Sequence, residues 1–179
     1  VVDLALPALR APGPVDPDEH GHDHGPDTDH DHPHFHDHDE LPRHGGRFGD
    51  ILEAIGHTPL VEIPRMSPSP GVHLFAKLEY NSVVGSLKDR PAYYMLRDAI
   101  RRGEIRRTTT VIESSSGNTG SALAVFCRLL GLTFVPVVDP NIQRHYQGIL
   151  ESTCARVVRV DERDDSGGYL KTRLAKARE

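Results

Sequence analysis

Apolar and polar positions along this chain follow two regimes that meet near Gly45-Gly46. After the break, hydrophobic residues recur with the spacings of helices and strands. FGDILEAIG (Phe48 to Gly56) predicts a short helix capped by Asp50 and stopped by Gly56, and Thr58-Pro59 opens a strand-like PLVEI. Val72 to Leu78 predicts an apolar strand. Lys88 to Arg102 has helical periodicity in Ala92, Met95, Leu96, Ala99 and Ile100, with Pro91 tolerated in the first turn and Gly103 as the stop. Thr110 to Ile112 predicts the next strand, Asn118 to Leu130 an almost wholly apolar helix ended by Gly131, and Thr133 to Val138 a further strand. Ile142 to Ser152 then reads as a helix and Arg156 to Val160 as a strand. Strands and helices alternating in this way predict an α/β fold, a parallel sheet with helices on both faces, whose ligands gather at the carboxyl ends of the strands.

Before the break the pattern is different. Val1 to Leu9 is apolar but lacks the basic flank and long apolar core of a secretory signal. From His20 to His38 eight histidines stand mostly at every second position among acidic residues. So little there can be buried that residues 1–46 are expected to be a disordered His/Asp-rich tail. Imidazole and carboxylate together suit Zn(II), Ni(II) or Cu(II), which makes His20, His22, His24, His30, His32, His34, His36 and His38 candidate metal ligands of no single fixed geometry.

Charge divides the 179-residue chain at the same place. The first 46 residues hold eleven acidic residues against two arginines, and the remainder nineteen basic against fifteen acidic. Neither part has the strongly basic balance of a nucleic-acid binder, and no apolar run reaches membrane-spanning length. A cytoplasmic protein is expected. Cys127 and Cys154 form no CxxC pair and read as small hydrophobes rather than a disulfide.

Two loops at expected strand ends carry chemistry. GSLKDRP (Gly85 to Pro91) puts Lys88 at the first turn of a helix, where the partial positive charge of the amino end disfavours an ordinary lysine. Alone, Lys88 reads as a surface lysine paired with Asp89. SSSGNTG (Ser114 to Gly120) opens the next helix with hydroxyls, an amide and free N–H groups, as an anion cradle would. An amine able to form a Schiff base beside a carboxylate cradle is what a pyridoxal phosphate enzyme requires.

IGHTPLVEI (Ile55 to Ile63), FAKLEY (Phe75 to Tyr80), GSLKDR and ESSSGNTGSALA (Glu113 to Ala124), in that order, resemble the cysteine synthase / cystathionine beta-synthase family of fold-type II pyridoxal phosphate enzymes. KLEY, KDRPA, VVDP (Val137 to Pro140) and GGYLKTRLAK (Gly167 to Lys176) are similar to its 2,3-diaminopropionate branch, which joins O-phosphoserine and glutamate. The resemblance implies that Lys88 holds the cofactor through its amine and later moves the Cα proton, and that Asn118 bonds the cofactor's phenolic oxygen. It implies that Ser115, Ser116, Gly117 and Thr119 clasp the substrate carboxylate. Tyr169 either shapes the second-substrate pocket or packs at a helix start. The implied reaction is β-replacement on an O-activated serine, O-phosphoserine or O-acetylserine, by an amine or sulfide.

Departures from the family pattern are local and global. Ser82-Val83-Val84-Gly85-Ser86 stands where the family has Asn-Pro-x-Gly-Ser, Ser115 replaces a threonine, and Cys154 replaces a common glycine. The family also runs to about twice this folded length, so the chain is expected to be the amino-terminal part of a longer enzyme or a truncated product. Residues 77–156 would form its smaller α/β domain, and 47–76 with 157–179 a remnant of the larger. The resemblance further implies amino-acid substrates and, for the complete enzyme, a homodimer. Two other classes compete: a metal-binding protein with a catalytically inactive fold, and a plain anion- or nucleotide-binding domain. The last is weakest, because neither GxGxxG nor GxxxxGK[ST] occurs.

Overall fold

The computed structural model describes residues 2–3 and 48–179. Four parallel strands form the main sheet in the order β1 (Val2–Asp3), β4 (Thr110–Glu113), β5 (Thr133–Val138), β6 (Val158–Arg159). A separate antiparallel pair, β2 (Leu60–Glu62) and β3 (Phe75–Lys77), lies earlier in the chain. The helices are α1 (Asp89–Arg101), α2 (Asn118–Leu129), α3 (Arg144–Thr153) and α4 (Leu170–Arg178).

The run β4-α2-β5-α3-β6 advances one strand at a time across the sheet. Right-handed crossovers taken in one direction put α2 and α3 on one face. There α2 packs against α1, α3 and β5, while α4 meets β5 independently. Of the periodic apolar residues of α1, Ala92, Leu96, Ala99 and Ile100 are buried and Met95 is half-buried, and α2 buries Ala122, Leu123, Phe126 and Cys127. Val111, Phe134 and Val138 close the core from the sheet. Both helices stop where glycine permits a positive φ, +71° at Gly103 and +69° at Gly131. Pro136 lies within the central strand, and β6 joins only beyond it, at Val137 and Val138. Pro136 is in register with Glu113 of β4, so its missing N–H is tolerable on the β6 side, where pairing has not begun.

Several expectations are corrected. The helix expected after Gly49 is a four-residue 3₁₀ turn, Ile51–Ala54, with Asp50 accepting the Leu52 N–H at 2.7 Å. Gly56, six residues on from that cap, leaves no room for a longer helix. The strand expected over Val72 to Leu78 is confined to Phe75–Lys77, because its partner β2 is only three residues long. Val2–Asp3, the two described residues among the first 46, pair with β4. The eight candidate metal-ligating histidines lie outside the described residues. Both cysteines are free; burial pushes the Cys127 thiol up to about 12 and raises the half-buried Cys154 as well. Among the described residues no helix is long and apolar enough to cross a membrane.

Candidate active site

The helices of the sheet begin at its carboxyl edge, and the chemistry lies there. Lys88 is the last residue before α1, exposed, with its N–H on the Ser86 hydroxyl at 3.2 Å. Its neighbour Asp89 is not the surface partner that the alternative reading of Lys88 requires. It is fully buried and turns back to accept the Val84 N–H at 2.6 Å and the Ser86 hydroxyl at 3.4 Å. The carboxylate thereby fixes the loop that departs from the family pattern and leaves the lysine to solvent.

Ser115, Ser116, Gly117, Asn118 and Thr119 form one turn where β4 passes into α2, with Gly117 as the capping residue. Helix amino ends leave N–H groups without intrahelical partners and carry partial positive charge. Gly120 anchors the turn. Its N–H donates to the Ser115 hydroxyl at 2.9 Å, and a Cβ there would stand 2.6 Å from the Ser115 carbonyl oxygen, too close for any other residue.

Three polar side chains of the turn are backed from behind. Ser115 Oγ accepts from Gly120, Ser116 Oγ accepts from Arg173 Nη1 at 3.0 Å, and Asn118 Oδ1 accepts the Tyr146 hydroxyl at 2.9 Å. With its acceptor engaged, each hydroxyl keeps its hydrogen to give, and the Asn118 amide keeps its NH2 group. At the entry to the turn the Ser114 hydroxyl is buried without a partner among the described residues. The turn is therefore a cradle of donors. It suits a carboxylate or phenolate and would repel nothing anionic.

Tyr169 caps the start of α4, with the Arg163 guanidinium 4.9 Å over its ring. Tyr146 carried no sequence signal, and Asp139 and Arg173 lay in VVDP and GGYLKTRLAK with no site role attached, yet all three back the cradle or its partners.

A lysine thus stands at the start of α1 and a donor-lined turn at the start of α2, where β4 of the parallel sheet ends. The chain belongs to the pyridoxal-phosphate dependent enzyme family, whose model matches residues 51–179. It is 44% identical over 129 residues to the N-(2-amino-2-carboxyethyl)-L-glutamate synthase of Ralstonia nicotianae, covering 72% of this chain and 38% of that one. The fold is similar to an O-acetylserine dependent cystathionine beta-synthase from Helicobacter pylori (30% identity, TM-score 0.63, 74% of this chain and 44% of that one). It is also similar to a cysteine synthase from Entamoeba histolytica (29%, TM-score 0.64, 75% and 41%). The chain thus spans well under half the length of these relatives.

Proposed function

We propose that residues 48–179 carry the amino-acid-binding part of a pyridoxal-phosphate dependent β-replacement enzyme acting on O-phosphoserine or O-acetylserine. The observation that carries this reading is the turn at the start of α2, where Ser115, Ser116 and Asn118 each accept from a backing donor and keep a hydrogen to give. Residues 77–156 would be the smaller α/β domain, and 47–76 with 157–179 parts of the larger. The second substrate is an amine or sulfide; similarity to the Ralstonia N-(2-amino-2-carboxyethyl)-L-glutamate synthase favours glutamate.

Each residue then has a defined task. The bound cofactor supplies an electron sink for bond cleavage at the substrate Cα. Lys88 would hold it through the amine and, once released, take the Cα proton. Asn118 would donate from its NH2 group to the cofactor's phenolic oxygen. Ser115, Ser116 and Thr119 hydroxyls, with the N–H groups after Gly117, would grip the substrate carboxylate and so align the Cα–H bond. Phosphate or acetate leaves Cβ with its bonding pair, the nucleophile forms the new bond there, and Lys88 returns the proton to Cα. Tyr169 would border the second-substrate side.

The test is borohydride reduction of the chain with pyridoxal phosphate, followed by peptide mapping. A reduction-stable label on Lys88, absent in Lys88→Ala, is expected; label scattered over surface lysines would overturn the reading. The same samples, dialysed against Zn2+ or Ni2+, address the histidine-rich segment. Uptake unaffected by Lys88→Ala but lost when the eight histidines become alanine is expected if that segment is a separate metal-binding element. Uptake that survives their removal would refute it.

A further inference from the structure

Two of the motifs similar to the 2,3-diaminopropionate branch, VVDP and GGYLKTRLAK, lie far apart in sequence and outside the cradle. The fold joins them. Asp139, after the end of β5, and Arg173, near the start of α4, form an ion pair at 3.0 Å, with side chains only 9% and 13% exposed. The same Arg173 nitrogen donates to the Ser116 hydroxyl at 3.0 Å across 57 positions of sequence. Asp139 is held from the other side by the Asn141 N–H, 2.8 Å from Oδ1. A buried ion pair contributes little net stability, since desolvation offsets most of the attraction. Stability is therefore a poor reason for placing one here, and the group it touches is Ser116.

We infer that Arg173 is a positioning residue for the carboxylate of the amino-acid substrate, acting through Ser116, with Asp139 holding the guanidinium in place. The inference rests on the proposed function, because it assigns Ser116 to that carboxylate. A hydroxyl has one hydrogen to donate. Accepting from a guanidinium directs that hydrogen toward the cradle and polarises the O–H bond, strengthening it as a donor. Asp139 and Ser116 both lie 3.0 Å from the same Arg173 nitrogen. Without the guanidinium between them, the nearby carboxylate becomes the natural acceptor for the Ser116 hydrogen, and the cradle loses a donor. The sequence similarity to the branch thus has a physical counterpart in how the carboxylate grip is set.

The full chain, loaded with pyridoxal phosphate, is titrated calorimetrically with L-alanine, which carries the same carboxylate and no leaving group. Ser116→Ala and Arg173→Gln are each expected to weaken binding about tenfold, the scale of one charge-assisted hydrogen bond. The double variant should bind no more weakly than Ser116→Ala alone, because the two residues act through one bond. Arg173→Gln leaves a buried carboxylate unpaired, so Arg173→Gln with Asp139→Asn is the folded control. It should restore the thermal midpoint but not the affinity. An Arg173→Gln effect of equal size in the Ser116→Ala background would overturn the inference, as would unchanged affinity in both Arg173 variants. A Ser116→Ala variant that binds like the parent, or a parent that does not bind, would instead overturn the proposed function and this inference with it.

Discussion

The row of helices on the main sheet and the antiparallel pair β2–β3 obey opposite rules of burial. Leu96, Leu123, Phe126 and Val111 are fully buried in the first. In the second region the large apolar side chains face outward: Leu60 is 63% exposed, Met66 67% and Phe75 52%. Both stretches were legible as apolar, so hydrophobicity alone does not say which residues the chain can bury by itself. The difference lies in layering. The α/β unit has a sheet, a row of helices and loops that close over one core, whereas a two-stranded pair has no second layer of its own and is marginal in water unless something covers it.

The sharpest way to break this contrast is to truncate one residue from each region. Leu123→Ala removes a wholly buried side chain from α2 and is expected to cost about 2–5 kcal/mol. Phe75→Ala, on β3, is expected to stay within about 0.5 kcal/mol, because an exposed ring has little burial to lose. Denaturant unfolding of both variants decides it. A Phe75→Ala cost matching that of Leu123→Ala would mean that the β2–β3 face is covered in solution.

Within the well-packed region the cradle is the next point to press. Gly120→Ala puts a methyl group 2.6 Å from the Ser115 carbonyl oxygen, a backbone atom that cannot rotate away. The turn must shift, and the expected cost is about 1–3 kcal/mol, as for other overpacked sites. The Gly120 N–H contact to Ser115, now 2.9 Å, should lengthen with it, so backbone amide resonances from Ser114 to Ser121 are expected to move together. A neutral thermal midpoint with unmoved resonances would show the turn to be looser than its contacts.

What the sequence disclosed about these regions follows from the range of the interactions involved. Periodicity located α1, α2 and β5 almost to the residue, because their boundaries are set by neighbours in sequence: a proline in the first turn, glycines at the stops, a central strand too apolar to lie anywhere else. Lys88 and the Ser114 to Gly120 turn were legible for the same reason, each being a contiguous motif. The backing of the cradle was not. Tyr146 reaches Asn118 across 28 positions and Arg173 reaches Ser116 across 57, and no local pattern marks either. The alternative of a Lys88–Asp89 surface pair fails, because the fold buries Asp89 and uses it to tie down the loop at Val84. The short strand β3 and the 3₁₀ turn at Ile51 fell short of expectation where pairing length and a nearby glycine, rather than composition, set the limits.

Helix α4 stands between the two regions and sharpens the comparison, since it is held chiefly by polar bonds. Ala177 is its one buried residue, and its amino end is organised by Asp164. That carboxylate accepts the Ser166 hydroxyl, the Lys171 N–H at 3.1 Å and the Ser166 and Gly168 N–H groups at 3.0 and 3.2 Å. These bonds, the Ser166 hydroxyl first among them, lower its pKa from 3.8 to about 2. A carboxylate depressed in the folded state stabilises above its unfolded value, and that contribution disappears as pH falls through the folded one. Asp164 should therefore help to hold the turn at neutral pH and release it between about pH 4 and pH 2. The expected effect is small, since the site is open to solvent. It is read as a difference: parent and Asp164→Asn unfolding curves, measured from neutral pH downward, should converge across that window. Curves that stay parallel would mean that α4 is held by its contact with β5 and by Arg173, and that its turn contributes nothing that protonation can remove.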